Sequence, residues 1–248
     1  MENGAINRVL RLLSLLSDHA SLTVRQAAEE LGLPVSTVHR LLRRLAESGF
    51  AAQPERGLFN AGTELFRMAG KLSARMPYVS VAEPLLGKLT AQFQETSMLG
   101  ILERKQLRMH FAASAAPADP MRYVVELNKP APLVWGAVGR SMLAHLSPPE
   151  IERAIETNTA TDVHGTALDP DELRAHLSRI RAEGYALTQS HRTLNSVGLA
   201  APFFDPNGQV LGCIAFQLPA FRLTSAALPR LASALKDSAA VVSQRMGG

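Results

Sequence analysis

Apolar positions near the start of the chain recur every three or four places, the spacing of one helix face. Ile6, Val9, Leu10, Leu12, Leu13 and Leu16 predict a helix over residues 5–17. His19-Ala20-Ser21 interrupts the pattern. Thr23 then opens a second helix, with Gln26 three places on to complete a capping box and Val24, Ala27, Ala28 and Leu31 as the buried face. Gly32-Leu33-Pro34 ends it, because glycine suits the residue after a helix and proline cannot continue one. A third helix is predicted from Val35 to Ser48 on the stripe Val38, Leu41, Leu42 and Leu45, with Gly49 as its stop. Two short extended runs around Pro54-Glu55-Arg56-Gly57 predict a β-hairpin, and Leu65, Phe66, Met68, Ala69 and Leu72 predict a helix over 63–76.

After Pro77 the pattern alternates. A helix fits 79–94, strand-like runs fit 97–103, 107–114 and 121–127, and a Pro-rich stretch leads to a helix at 137–146. A helix opened by Asp169-Pro170-Asp171-Glu172 fits 169–183; strands fit 185–190, 197–204 and 209–218; a last helix fits 225–245. Asp205-Pro206-Asn207-Gly208 is a turn between the last two strands. These elements predict an α+β chain. Its expected parts are an N-terminal winged helix-turn-helix over 1–62, a linker helix over 63–77, and a domain with an antiparallel sheet over 78–248.

Composition narrows the class. Of 248 residues, 46% are hydrophobic and 19% charged, as in globular chains rather than disordered ones. No apolar run reaches the ~18 residues of a membrane span, so no membrane partner is expected. The first residues lack a basic segment followed by an apolar block, so no signal peptide is expected. The single cysteine, Cys213, excludes an internal disulfide framework and a Cys-rich metal site, and fits a reducing cytoplasm. It falls in a strand pattern with no cationic neighbour in sequence, so it reads as a buried inert thiol. The net charge is +4, and residues 1–76 hold 10 Lys/Arg against 7 Asp/Glu, so the smaller part carries most of the excess. A local basic excess points to a polyanion.

The third helix says which polyanion. Its apolar stripe must face the other helices, which leaves Ser36, Thr37, Arg40, Arg43 and Arg44 on the opposite face. Hydroxyls and free amides in a first helical turn meet phosphates or base edges, and a guanidinium bonds guanine bidentately or clamps a phosphate. Arg56 at the hairpin tip reaches the backbone or a neighbouring minor groove, and Thr23 at the start of the second helix joins the candidate DNA contacts. His39, beside the core stripe, is expected to pack or to orient a neighbour. One short recognition helix reads few base pairs, so a homodimer or homotetramer is expected, with copies on half-sites roughly 34 Å apart or a multiple. The 63–76 helix is its natural coupling element.

The run Leu31-Gly-Leu-Pro-Val-Ser-Thr-Val-His-Arg-Leu-Leu42, followed by Leu45, Glu47, Gly49 and Phe50, resembles the recognition segment of the IclR family of bacterial transcription regulators. Gly139-Arg-Ser-Met-Leu-Ala144 resembles that family's GKALLA helix, and Gly184-Tyr-Ala, Leu199-Ala-Ala-Pro202 and Asp205 with Gly208 resemble its closing hairpin region. The resemblance runs over essentially the whole chain. It implies a GAF-like effector-binding second domain and an operator of double-stranded DNA near a catabolic operon, with repression preferred to activation. Val35 stands where the family often has a basic residue; it removes one phosphate contact and offers an apolar contact to a thymine methyl.

Trp135-Gly-Ala-Val-Gly139, leading into a helix, is the best effector-site candidate among the residues themselves, since free amides at a helix start suit a carboxylate. The resemblance implies a small organic acid as effector, with Ala137 and Val138 supplying backbone amides and Thr188, Gly198, Ala215 and Gln217 at the other pocket positions. Relatives that bind very small 2-oxo acids carry an acidic residue, a cysteine and two serines there. The residues here imply a roomier, more apolar cavity and a larger acid, aromatic or alkyl. Trp135, Met98 and Met121 are candidate lining residues.

Two other classes compete with this reading. A hydrolase would use Ser190-His191 with Asp205, but the chain lacks a G-x-S-x-G elbow, and its histidines show neither HExxH nor paired ligand spacing; no catalytic residue, metal site or cofactor is expected. A protein-interaction or sensing module with a non-functional DNA domain is opposed by the intact Ser36-Thr37-Arg40 face.

Overall fold

The computed structural model describes residues 4–73 and 77–246. The chain divides into two compact units, Met1–Met76 and Pro77–Gly248.

The first unit follows the helical pattern closely. Helices α1 (Ala5–Asp18), α2 (Val24–Leu31) and α3 (Val35–Glu47) are followed by the hairpin β2 (Ala51–Glu55) and β3 (Leu58–Ala61), with β1 (Leu22–Thr23) added on the far side of β3. Helix α4 begins at Thr63 and is described to Ser73; residues 74–76 of the expected linker helix lie outside the described residues. Thr23 caps α2 as its spacing predicts: the Gln26 amide donates to Thr23 Oγ1 at 3.2 Å, and the Thr23 amide donates to Gln26 Oε1 at 3.0 Å. Such a cap contributes about 1 kcal/mol. Gly32 takes the left-handed conformation (φ 65°) that turns the chain between α2 and α3, and the Leu33 amide closes the turn on Ala28 O at 3.0 Å. Leu12, Leu16, Leu31, Val38, Leu42 and Phe59 form one buried core. Each fully buried large side chain contributes about 1.5–3 kcal/mol.

The second unit is built on an antiparallel six-stranded sheet in the order β6-β5-β4-β9-β8-β7. Its strands are β4 (Thr96–Glu103), β5 (Arg108–Ala115), β6 (Ala131–Pro132), β7 (Ala186–Gln189), β8 (Ser196–Phe204) and β9 (Val210–Pro219). Strand alternation makes two cores. Leu99, Leu199, Phe203, Ile214 and Phe216 face helices α5 (Pro77–Phe93) and α9 (Ala227–Met246). Met98, Met109, Ala200, Cys213 and Ala215 share a core with α6 (Gly136–Leu143), α7 (Pro148–Glu156) and α8 (Pro170–Glu183). Gly139 lets α6 approach the loop before it, since a Cβ there would lie 2.4 Å from Leu133 O. The β8–β9 turn is held as its sequence predicts: Asp205 Oδ1 accepts from the amides of Asn207 and Gln209 at 2.9 and 2.8 Å.

The overall class is the expected α+β one, with differences in detail, among them the short strands β1 and β6. Residues 121–127 are not a strand. The edge of β5 pairs instead with the two-residue β6, and 121–127 joins no strand ladder, with Val124 82% exposed. Helix α7 was not expected. Its signals are a capping box, in which the Ser147 amide donates to Glu150 Oε2 at 2.9 Å, and proline in the first turn.

Candidate nucleic-acid interface and ligand cavity

Helix α3 exposes one face because Val38, Leu42 and Leu45 commit the other to the core. Val35, Ser36, Arg40, Arg43 and Arg44 are exposed, and Thr37 is half-buried at the first turn. Pro34 precedes α3 and has no side chain able to cap it; the Thr37 and Val38 amides reach back to Pro34 O at 3.0 and 3.1 Å. The amides of Val35 and Ser36 at the helix start are left for water or an anion. Among the described residues, the guanidinium groups of Arg40, Arg43, Arg44 and Arg56 form no ion pair. Arg56 is exposed at the β2–β3 turn. Thr23 differs from this group: its hydroxyl is committed to the α2 cap, bonding Gln26 Oε1 at 2.8 Å. His39 is exposed, so the packing role expected for it does not hold.

In the second unit a cavity of about 410 Å³ lies between the start of α6, the sheet face and the 124–132 segment. Six of the seven expected positions line it: Trp135, Ala137, Val138, Thr188, Gly198 and Gln217. Ala215 does not. It is fully buried beside Met98 across β4–β9, and the longer Met98 forms the wall there. Met121 is 59% exposed and off the wall. Apolar lining comes also from Met109, Phe111 and Val125.

Behind the wall lies a buried polar cluster centred on Arg140. Arg140 is buried, donates from Nε to Val134 O at 2.8 Å and from Nη1 to His176 Nδ1 at 2.8 Å, and lies 5.6 Å over the Trp135 ring. Burial pushes its pKa down to about 10. Burial, and next the Arg140 charge, push His176 down to about 4, so it is neutral and accepts from Arg140. Trp135 donates from Nε1 to Ala160 O at 3.0 Å and meets the edge of His191 with ring centroids 5.5 Å apart. His191 is pushed down to about 4 by burial and then by Arg140. Sequence reasoning passed over His191 and Arg192 as cavity residues. Their signal was a polar, cationic interruption between two alternating strands.

No hydrolase constellation forms. Ser190 and His191 line the cavity, but Asp205 is spent on its own turn and His191 Nδ1 is buried without a partner. Among the described residues, no three His, Cys, Asp or Glu side chains converge as metal ligands, and no helix is long and apolar enough to cross a membrane. Burial raises the Cys213 thiol to about 12, the inert state expected of it.

Comparison with known proteins adds the wider frame. Residues 5–55 match the IclR helix-turn-helix domain, and residues 71–244 match the bacterial transcriptional regulator IclR C-terminal domain. The chain is 31% identical over 237 residues to the HTH-type transcriptional regulator BhcR of Paracoccus denitrificans, covering 95% of this chain and 84% of that one. Its fold is similar to an IclR transcriptional regulator from Silicibacter sp. TM1040, with a TM-score of 0.88, 23% identity, and 99% and 97% of the two chains covered. It is also similar to an IclR homolog from Microbacterium hydrocarbonoxydans complexed with 4-hydroxybenzoate, with a TM-score of 0.84, 20% identity, and 98% and 99% covered.

Proposed function

The chain belongs to the IclR family of bacterial transcriptional regulators, and from that premise we propose that it grips operator DNA with the exposed face of α3 and adjusts that grip to a small organic acid held in the second unit. It is a transcriptional regulator with a helix-turn-helix domain and an effector domain, not an enzyme.

The observation that carries the DNA reading is the unpaired row of exposed guanidinium groups beside the open first turn of α3. Ser36, Thr37 and the free amides suit phosphates, Arg40 suits a guanine edge, Val35 suits a thymine methyl, and Arg43, Arg44 and Arg56 suit the backbone. Thr23 contributes through the cap that sets α2. Exposed Ile6 and Leu10 on α1, with Phe66 and Leu72 on α4, support assembly as a homodimer or homotetramer on repeated half-sites in the cytoplasm.

A cavity of about 410 Å³ with Met98, Phe111 and Trp135 on its walls suits an aromatic or alkyl carboxylate better than a two- or three-carbon oxo acid. The structural neighbour's 4-hydroxybenzoate is a ligand of the proposed class. Ala137 and Val138 present the amino end of α6 to it. Control of a catabolic operon, by repression, completes the reading. Calorimetric titration with benzoates, against glyoxylate and pyruvate, tests the ligand class; tight binding of the oxo acids alone would refute it. A gel shift on the upstream intergenic region tests the DNA reading.

A further inference from the structure

We propose that Arg192 selects a negatively charged ligand for the cavity, pairing with its carboxylate at the amino end of α6. The inference rests on the ligand-sensing reading above and adds the residue that enforces it.

The charges around the cavity leave one group uncompensated. Glu126 and Lys129 line the wall and pair with each other at 2.8 Å. His191 is neutral at physiological pH, because burial holds its pKa near 4. Arg140 stands behind Trp135 and does not line the cavity; its Nε donates to Val134 O and its Nη1 to His176. Arg192 remains. It lines the cavity, and among the described residues its guanidinium has neither a hydrogen-bond acceptor nor a counter-ion. The side chain stays open to solvent, yet partial burial pushes its pKa below the usual guanidinium value. A cation drawn partly out of water without a counter-charge favours an anion beside it.

Position says where that anion would sit. The Arg192 stem crosses the first residue of α6: a Cβ on Gly136 would lie 2.9 Å from Arg192 Cδ. Trp135 offers no side-chain cap to α6. The charged tip and the positive end of the helix therefore serve one wall of the cavity. The loop that carries Arg192 is held in place at a cost. Ser190 and Asn195, at its two ends, have φ of 51° and 54°, a conformation non-glycine residues seldom adopt. It is tied by the Ser190 amide to Ser196 O at 2.8 Å, by Tyr123 Oη to Asn195 O at 3.3 Å, and by Gln217 Nε2 to Thr193 Oγ1 at 3.2 Å. With Met98, Met109 and Phe111 on the remaining wall, the fitting ligand is a single carboxylate on an apolar body.

The test is calorimetry on the full chain with benzoate, phenylacetate and hexanoate, each against its neutral amide. Wild type is expected to prefer the acids by at least about tenfold. Arg192→Met keeps the stem over Gly136 and should weaken acid binding about 10- to 100-fold, the effect of one charge-assisted hydrogen bond, while amide binding changes less than about threefold. Arg192→Lys should recover part of the loss, because it restores the charge without the fork. Melting curves confirm that each variant is folded, and Arg192→Gln replaces the methionine variant should that one melt early. A folded Arg192→Met protein that keeps the wild-type acid preference would overturn the assignment and leave the ligand-sensing reading standing. Equal affinity of wild type for acids and amides would also overturn it. Binding of none of the probes by wild type would remove the ligand-sensing reading itself, and Arg192 with it.

Discussion

The α3 face and the core behind the cavity wall of the second unit both hold arginine, and they treat it in opposite ways. Arg40, Arg43 and Arg44 stand on a convex surface made from a single 13-residue helix, exposed and without counter-charges. Arg140 is buried, and carbonyl, imidazole and indole neighbours occupy it. A surface that must meet a polyanion gains by leaving its cations unpaired, since any internal ion pair would have to break first. A wall that must hold its shape gains by hydrogen-bonding the buried cation behind it. The first site is local and sensitive to salt; the second is assembled from segments spanning Met98 to Gln217 and is sensitive to how well the unit is packed.

The contrast is broken most severely by removing the support of the α3 face. Leu42 is fully buried, and Leu42→Ala should cost the first unit about 2–5 kcal/mol in denaturant titration and abolish operator binding. Arg40→Ala leaves that core intact and should weaken operator binding by about 1–3 kcal/mol in a gel shift, with relaxed preference at one base pair. An unchanged affinity would remove Arg40 from the interface. Arg44→Ala, placed on a phosphate, should instead lower the salt slope of binding by about 1.

The second unit should respond to pH through two half-buried histidines. His176 and His191 stay neutral in the folded protein down to about pH 4, whereas the unfolded chain protonates them near the ordinary value of 6.5. As pH falls, the unfolded state takes up protons first, so stability contributed by the neutral imidazoles is full above about 6.5 and declines toward 4. The expected loss is on the order of 1–2 kcal/mol after allowance for partial solvent contact. Denaturant titrations of wild type and His176→Gln across that range check it, and parallel curves would contradict it. The smallest effect concerns cavity shape. A side chain at Gly198 would meet Ala137 Cβ at 3.2 Å and Thr188 Oγ1 at 3.4 Å, so Gly198→Val should reduce benzoate affinity several-fold, about 1 kcal/mol, and alter glyoxylate binding less.

The same contrast explains what was legible in the sequence. The first three helices, the Thr23 cap and the Gly32 turn depend on neighbours within a few residues, and spacing alone locates them. The cavity depends on strand register. Gly198 and Gln217 face each other across β8–β9, and that pairing is invisible to periodicity; their place came from resemblance. Ala215 follows the same alternation as Gln217 but stops short of the wall, because the side chain opposite it is the long Met98. The 121–127 run alternates like a strand, yet it joins no ladder; β5 takes β6 at Arg108 and Met109 instead. Arg192 is not legible in sequence as a cavity residue, because a charge in a loop ordinarily means solvent alone; the packing of its stem over Gly136 is what brings it to the wall.

On the proposed function, the exposed face of α3 grips DNA and an acid in the second unit biases the grip. DNase footprinting of the gene's upstream region tests it, using wild type and the Arg40→Ala/Arg44→Ala double variant, each with and without benzoate. Wild type should protect half-sites spaced by whole helical turns, with a several-fold change with benzoate in the protein concentration needed, and the double variant should give no protection at the same concentrations. Equal protection by both proteins, unaltered by the acid, would contradict it.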